Sequence, residues 1–131
     1  MVDALRDEPV RLDGDGVLAV LGLHRLAAVE EALRSAPADA TVTAALVTSD
    51  PAELGPLARL AISDLRNCLR CAVAPEAWPR LRIVHDESGA LAAAAGVSAI
   101  SDATESAVRI RAGRIVAQAD GYGACYAAAT A

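Results

Sequence analysis

Short apolar runs alternate with longer amphipathic stretches along most of this chain. The runs VLAVLGL (17–23), TVTAALVT (41–48) and LRIVHD (81–86) are brief and nearly continuous, as in strands that are covered on both faces. The stretches that follow them repeat apolar residues at helical spacing. Because strands that alternate with helices pair in parallel, the pattern predicts an α/β fold.

The helix after the second run has the best-defined start. Asp50 can cap it, Pro51 suits its first turn, and Glu53 completes a capping box. The helix is predicted to end before Pro75 and to pack one apolar face on the sheet. That face holds Leu54, Leu57, Ala58, Ala61, Leu65, Leu69 and Ala72.

Three shorter helices are predicted. They fall at 24–36, where Pro37 follows, at 87–97, which Gly96 closes, and within YGACYAAATA (122–131).

The stretch ESAVRIRAGRIVAQADG (105–121) predicts two strands joined at Ala112-Gly113, a β-hairpin. The hairpin adds antiparallel strands to the parallel ones. The predicted fold is therefore a central mixed β-sheet of about five strands, with helices on both faces and a C-terminal β-hairpin plus helix. We expect one domain over residues 1–131, with a polar N-terminal segment (1–16) that contains a turn at 13–16.

Charge and composition narrow the classes of partner. The net charge is −5, lysine is absent and the arginines are scattered singly, so nucleic acid is not an expected partner. No run approaches 18 apolar residues and the N-terminus does not resemble a signal peptide, so we expect no membrane contact and a cytoplasmic location. The mean hydropathy of +0.34 indicates a further apolar surface, which a homo-oligomer or a partner protein would cover.

The segment NCLRCA (67–72) holds Cys68 and Cys71 at the gap used by redox dithiols and by half of a zinc site. Packing inside a helix, a reversible dithiol and a metal site all stay open as interpretations. A helical wheel puts Cys68 within the apolar face and Cys71 at its edge, which favours packing. Since zinc needs four ligands and no second pair is present, we expect no metal.

Four further residues carry expectations. Cys125 would lie in the first turn of the last helix, where a thiolate is favoured. His85 ends a strand and is expected to be a hydrogen-bonded residue at the edge of the core. Arg109 and Arg111 share one face of the hairpin, which predicts a face turned to solvent or to an acidic partner.

The order of elements and three phrases resemble the thioredoxin-like superfamily, in particular its peroxiredoxin and thiol-disulfide reductase branch. The phrases are VTAALVTSDPAELGPLARLA, HDESGALAAAAGV and VRIRAGRIVAQADG, within residues 17–121. The resemblance implies a thioredoxin-like fold for this chain.

The residues that give that family its activity are missing. Its nucleophilic cysteine lies at the start of the first helix, where this chain reads GLHRLAAV (22–29). Its reductases also place a cis-proline before the hairpin, where this chain has Thr104, Glu105 and Ser106. The resemblance therefore implies the fold without the redox centre.

In the family fold the start of the first helix faces the segment before the hairpin. By this resemblance His24 and Arg25 would lie across a cleft from Thr104 and Glu105, where a small molecule could bind. His24 and Glu105 could instead act as catalytic residues in general acid–base chemistry.

Three functions are expected from these observations. The first is a cytosolic protein that has lost the redox centre and binds a partner protein or a small ligand in the former cleft. The alternative is a thiol-disulfide or peroxide oxidoreductase that uses the displaced pair Cys68 and Cys71, with Cys125 as resolving cysteine. The third is a small biosynthetic enzyme that uses His24 and Glu105, and no cofactor is expected for any of the three.

Overall fold

The computed structural model describes residues 2–12 and 14–131. Its strands, in chain order, are β1 (Val2–Asp3), β2 (Glu8–Pro9), β3 (Gly16–Gly22), β4 (Thr41–Val47), β5 (Leu81–His85), β6 (Glu105–Arg111) and β7 (Arg114–Asp120). Its α-helices are α1 (Val29–Ser35), α2 (Pro51–Ala72), α3 (Ala90–Ala94) and α4 (Ala124–Ala129), and two 3₁₀ helices cover Leu23–Ala28 and Pro75–Ala77.

Five strands form one mixed sheet in the order β5-β4-β3-β6-β7. The pairs β3–β4 and β4–β5 are parallel, whereas β3–β6 and β6–β7 are antiparallel. The predicted α/β class, the mixed sheet and its number of strands are confirmed.

Helices cover both faces of this sheet, as predicted. Side chains from α1, α2 and α4 pack on one face, together with Leu5 from the N-terminal segment. The other face is covered by α3 and by apolar residues from two connecting segments. Val10 and Leu12 come from the segment before β3, and Val97 and Ile100 from the loop after α3. The core is built from small aliphatic side chains, so each element contributes many close contacts rather than a few large ones.

The C-terminal hairpin turns at Ala112 and Gly113, the position that the sequence indicates. Both residues have positive φ angles, 51° and 75°, as in the tight turns that match the twist of two antiparallel strands. Gly96, predicted to close a helix, also has a positive φ of 86° just after α3.

The polar N-terminal segment is docked against the sheet. Asp3 is buried, and its carboxylate accepts hydrogen bonds from the N–H groups of Leu5 (3.0 Å) and Ile83 (3.1 Å). The guanidinium of Arg6 donates to the carbonyl of Leu81 at 2.6 Å. The segment therefore lies along the outer edge of β5 from Leu81 to Ile83. The turn predicted at 13–16 includes Asp13, which lies outside the described residues.

The first predicted helix begins as a 3₁₀ helix and becomes α-helical only at Val29. Two N–H groups where β3 passes into this helix hydrogen-bond to the loop before β6: the N–H of Gly22 donates to the carbonyl of Thr104 and that of His24 to the carbonyl of Asp102, both at 2.8 Å. Arg25 lies outside helical geometry, with φ −122° and ψ 17°. The start of this helix is thus fixed by contacts that are distant in sequence.

Arg109 contradicts the prediction of an exposed face on the hairpin. It is only 3% exposed, because α4 packs over β6 on that side of the sheet. Its Nε and Nη1 atoms have no hydrogen-bond partner among the described residues. Arg111, two residues on, is exposed and donates to the carbonyl of Ala131 at 3.0 Å.

Candidate functional site

Helix α2 begins as the sequence predicts. The carboxylate of Asp50 accepts a hydrogen bond from the N–H of Glu53 at 3.2 Å, and Pro51 stands in the first turn. The helix is held at its side by an ion pair between Arg59 and Glu87, which follows β5. Its 22 residues extend about 33 Å.

The predicted apolar face of α2 is turned largely to solvent. Ile62 is the buried side chain on this helix among those described, while Ala58 and Leu69 are half-buried beside it. Leu57 and Leu60 are 61% and 60% exposed, and Leu65 is 40% exposed. The prediction that this whole face packs on the sheet is wrong, and the side chain of Leu54 lies outside the described part.

The physical reason is the width of the apolar arc. At 3.6 residues per turn, the apolar residues of α2 span about 200° of its circumference, and the sheet covers only the strip around Ile62. We call the exposed remainder the outer face of α2. It consists of Leu57, Leu60, Ala61, Leu65, Cys68, Cys71 and Ala72.

Cys68 and Cys71 both belong to this outer face and are free and exposed. The interpretation of Cys68 as a core residue is therefore wrong for the single chain. Side chains three residues apart on a helix have Cβ atoms about 5–6 Å apart, whereas a disulfide needs about 3.5–4.5 Å. A disulfide between them would require the last turn of α2 to unwind.

Cys125 lies in α4 and is fully buried. Burial, and then the nearby Glu105 carboxylate, raise the pKa of its thiol to about 12. The direction is opposite to the one expected for a first-turn cysteine. The thiol is therefore protonated at neutral pH, and the short helix does not outweigh the loss of solvent.

Arg25 and Glu105 are in direct contact. The Arg25 guanidinium donates through Nη2 (2.5 Å) and Nε (3.2 Å) to one oxygen of the Glu105 carboxylate, and it lies 4.3 Å from the ring centre of Tyr122. The other carboxylate oxygen accepts from the N–H of Cys125 at 3.5 Å. The hydrogen bond to Glu105 raises the pKa of Arg25, so the guanidinium stays charged.

His24 is exposed, and no hydrogen bond joins its side chain to Glu105 among the described residues. Thr104 contacts the start of the first helix through its backbone carbonyl, which accepts a hydrogen bond from the N–H of Gly22. Its hydroxyl accepts a hydrogen bond from the N–H of Ser101 at 2.9 Å. The predicted acid–base pair is therefore replaced by an ion pair between Arg25 and Glu105.

A polar cavity of 590 Å³ lies beside this ion pair. Thr104 and Glu105 contribute to its lining, whereas His24 and Arg25 do not. The hydroxyl of Ser106 donates to the carboxylate of Asp120 at its wall. The rest of the lining comes from Gly96, Val97, Ser98, Ala99, Ala103, Gln118 and Gly121.

A second group of polar residues lies where the parallel strands end. The Thr48 hydroxyl donates to the carboxylate of Asp102 at 2.8 Å, which ties the end of β4 to the loop before β6. The Asp86 carboxylate accepts from the N–H groups of Leu91 (3.2 Å) and Ala92 (2.9 Å). These carboxylates hold loops in place, and neither lies in a motif that indicates a site.

His85 is half-buried at the end of β5. Burial, and then the positive charge of Arg59, lower its pKa. Tyr122, whose ring lies against the Arg25 guanidinium, was not among the predicted site residues. Its position two residues after the last strand is the signal that could have indicated it.

Residues 2–12 and 14–131 contain no group of three or more His, Cys, Asp or Glu side chains arranged to hold a metal ion. Within the same part of the chain, every helix is too short or too polar to cross a membrane. No family model, no curated protein and no solved structure matches this chain.

Proposed function

We propose that this protein is a cytosolic binding protein with a thioredoxin-like fold, in which the redox centre has been lost and the outer face of α2 docks a partner protein. The observation that carries the proposal is the exposure of that face. Three leucine side chains are exposed to solvent along one side of a helix of about six turns. Contiguous apolar patches of this kind mark protein interaction sites.

The contacts around Gly22 support the thioredoxin-like part of the proposal. The start of the first helix lies against the segment before β6, in the juxtaposition that the family resemblance implies. The family's nucleophile would stand near His24, and that place is occupied by a charged pair of Arg25 and Glu105. Because these two side chains neutralise each other, a small ligand in the cleft is less favoured than a protein on α2.

A photo-reactive amino acid at position 61 tests the proposal in cells of the source organism. A probe there should give a discrete cross-linked species, and the double substitution Leu57→Ser and Leu60→Ser should remove it. Ile115 is a matched control, since it is exposed to a similar degree (52%) but lies on β7. Equal labelling from positions 61 and 115, or none from position 61, would reject α2 as the docking surface.

A redox role is the second candidate, because both thiols of the Cys68–Cys71 pair are free and exposed. It predicts a disulfide that titrates reversibly between roughly −180 and −300 mV in glutathione buffers, the span of working dithiols. Alkylation followed by mass spectrometry would measure it, with Cys68→Ser and Cys71→Ser as controls. Thiols that stay reduced through that span would exclude this role.

A further inference from the structure

The outer face of α2 is self-complementary. Leu57, Ala61 and Leu65 follow one another at intervals of four residues and form a single ridge along the helix. The small side chain of Ala61 stands midway between the two leucines. Two such ridges can cross at Ala61 with the helices close together, as in the commonest class of helix packing.

We propose that the occupant of the outer face is a second copy of this chain, with the two α2 helices crossing in antiparallel orientation at Ala61. This inference rests on the proposed function. In that arrangement Leu57 of each copy packs against Leu65 of the other, so a two-fold axis relates identical contacts.

The charge on the helix selects the orientation. Asp64 is an exposed acidic residue within the outer face, between Cys71 and Leu57 on the wheel. A parallel pair would place the two Asp64 carboxylates side by side. The antiparallel pair separates them by about 9 Å along the helix axes, which reduces their repulsion.

The exposed surface area of the single chain is larger than expected for a monomer, which also favours a second copy on the outer face. The chain exposes 7041 Å². A compact monomer of its 13.4 kDa mass is expected to expose about 6,500 Å². The excess of roughly 500 Å² approaches the 600–800 Å² per partner that small, specific interfaces bury.

The proposed dimer also changes the position of Cys68. On the wheel it lies next to Ala61, within the strip that the second copy covers, whereas Cys71 lies at the border near Leu60. Cys68 would thus be buried at an interface between copies. The rate at which iodoacetamide alkylates Cys68 should then fall as protein concentration rises, while that of Cys71 changes little.

Cross-linking tests the geometry directly. In a chain that carries Cys68→Ser and Cys71→Ser, Ala61→Cys should form an intermolecular disulfide under mild oxidation. Leu57→Cys and Leu65→Cys should cross-link to each other when the two variants are mixed, but neither should cross-link to itself. A self-cross-link of Leu57→Cys would overturn the antiparallel arrangement, and Ile115→Cys is the control for random collision.

Sedimentation equilibrium tests the assembly. The full chain should dimerise, and Leu57→Glu should weaken the association at least tenfold, while Ile115→Glu should leave it unchanged. Since each copy carries a net charge of −5 and the interface is apolar, added salt should tighten the association. A chain that stays monomeric up to millimolar concentration would overturn the dimer.

The docking role of α2 and the dimer can be rejected separately. If the chain is monomeric but the probe at position 61 still labels a different protein, the dimer is rejected and the docking role of α2 stands. If it is monomeric and position 61 labels nothing, both are rejected.

Discussion

Arg109→Met should stabilise the protein. The Arg109 side chain is only 3% exposed, and two of its nitrogens, Nε and Nη1, have no hydrogen-bond partner among the described residues. An unsatisfied buried donor costs about 1–3 kcal/mol, and more when the group is charged. Methionine has a similar length, no charge and enough flexibility to fill the space beneath α4.

The size of the effect follows from two opposing contributions. Removing two unsatisfied donors gains roughly 2–6 kcal/mol. The smaller side chain leaves part of the guanidinium volume empty, which costs about 1–3 kcal/mol. We expect the free energy of unfolding to rise by about 1–3 kcal/mol, as when buried charges are replaced by apolar side chains.

Urea denaturation followed by circular dichroism measures the change, and thermal melting provides a second readout. For a chain of this size, 1 kcal/mol corresponds to roughly 4 °C in Tm. Arg111→Met is the control. Its guanidinium is exposed, so the stability of that variant should stay within about 0.5 kcal/mol of the parent.

A loss of stability in Arg109→Met, beyond that in Arg111→Met, would refute the reasoning. It would mean that the buried guanidinium has a partner in solution, such as an ordered water or a bound anion, which compensates its charge.

Three further predictions concern single residues. Because burial raises the pKa of Cys125 from 9.0 to about 12, the folded chain keeps a proton that the unfolded chain loses. The free energy of unfolding should therefore fall by about 1 kcal/mol per pH unit between about pH 9 and pH 12. The slope should be shallower in the Cys125→Ala variant. Gly22→Ala should destabilise the fold by about 3 kcal/mol, because the new Cβ would lie 2.4 Å from the backbone of Asp102. Gly55→Ala should instead stabilise α2 by about 0.5–1 kcal/mol in the same urea assay, because no atom lies within 4 Å of its new Cβ. The pKa of His85 is lowered by burial, so the unfolded chain binds a proton that the folded chain does not; stability should fall as pH drops below about 6.5, and His85→Asn should weaken that dependence.

Each of these has a clear contrary result. An unchanged alkaline slope in Cys125→Ala would show that other groups cause it. Equal stability of the two glycine variants would mean that the loop before β6 can move away from Gly22. If the parent and the His85→Asn variant lose the same stability as the pH falls, His85 is solvated in the folded chain.

The sequence predicts the sheet well because local signals and tertiary packing agree there. The strands β3, β4 and β5 begin and end within one or two residues of the predicted runs, since a strand buried on both faces must be apolar throughout. The Asp50 cap and the turn at Ala112 are also local, and both are found where expected. By contrast, β1 and β2 are two residues each and depend on β5, so their own sequence carries little signal.

The failures have a common physical cause. A helical wheel shows which residues of α2 share a side, but not which part of a wide apolar arc will lie on the sheet. For Arg109, alternation along β6 gives the face correctly, but only the position of α4 shows that the face is covered. The candidate cleft was expected only through the family resemblance, and the Arg25–Glu105 ion pair that takes the place of the predicted His24–Glu105 pair depends on a contact across 80 residues.

The central position of β3 has a consequence for synthesis of the chain. Its residue Gly16 pairs with Thr41 on one side and with Ile110 on the other. While only the first hundred residues have emerged from the ribosome, β3 can pair with β4, and β4 with β5, but the other edge of β3 has no neighbour. A nascent chain at that stage presents an open row of backbone N–H and C=O groups, which is a template for aggregation. Ribosome stalling before residue 105 should therefore recruit chaperones, and stalling after the hairpin has emerged should not.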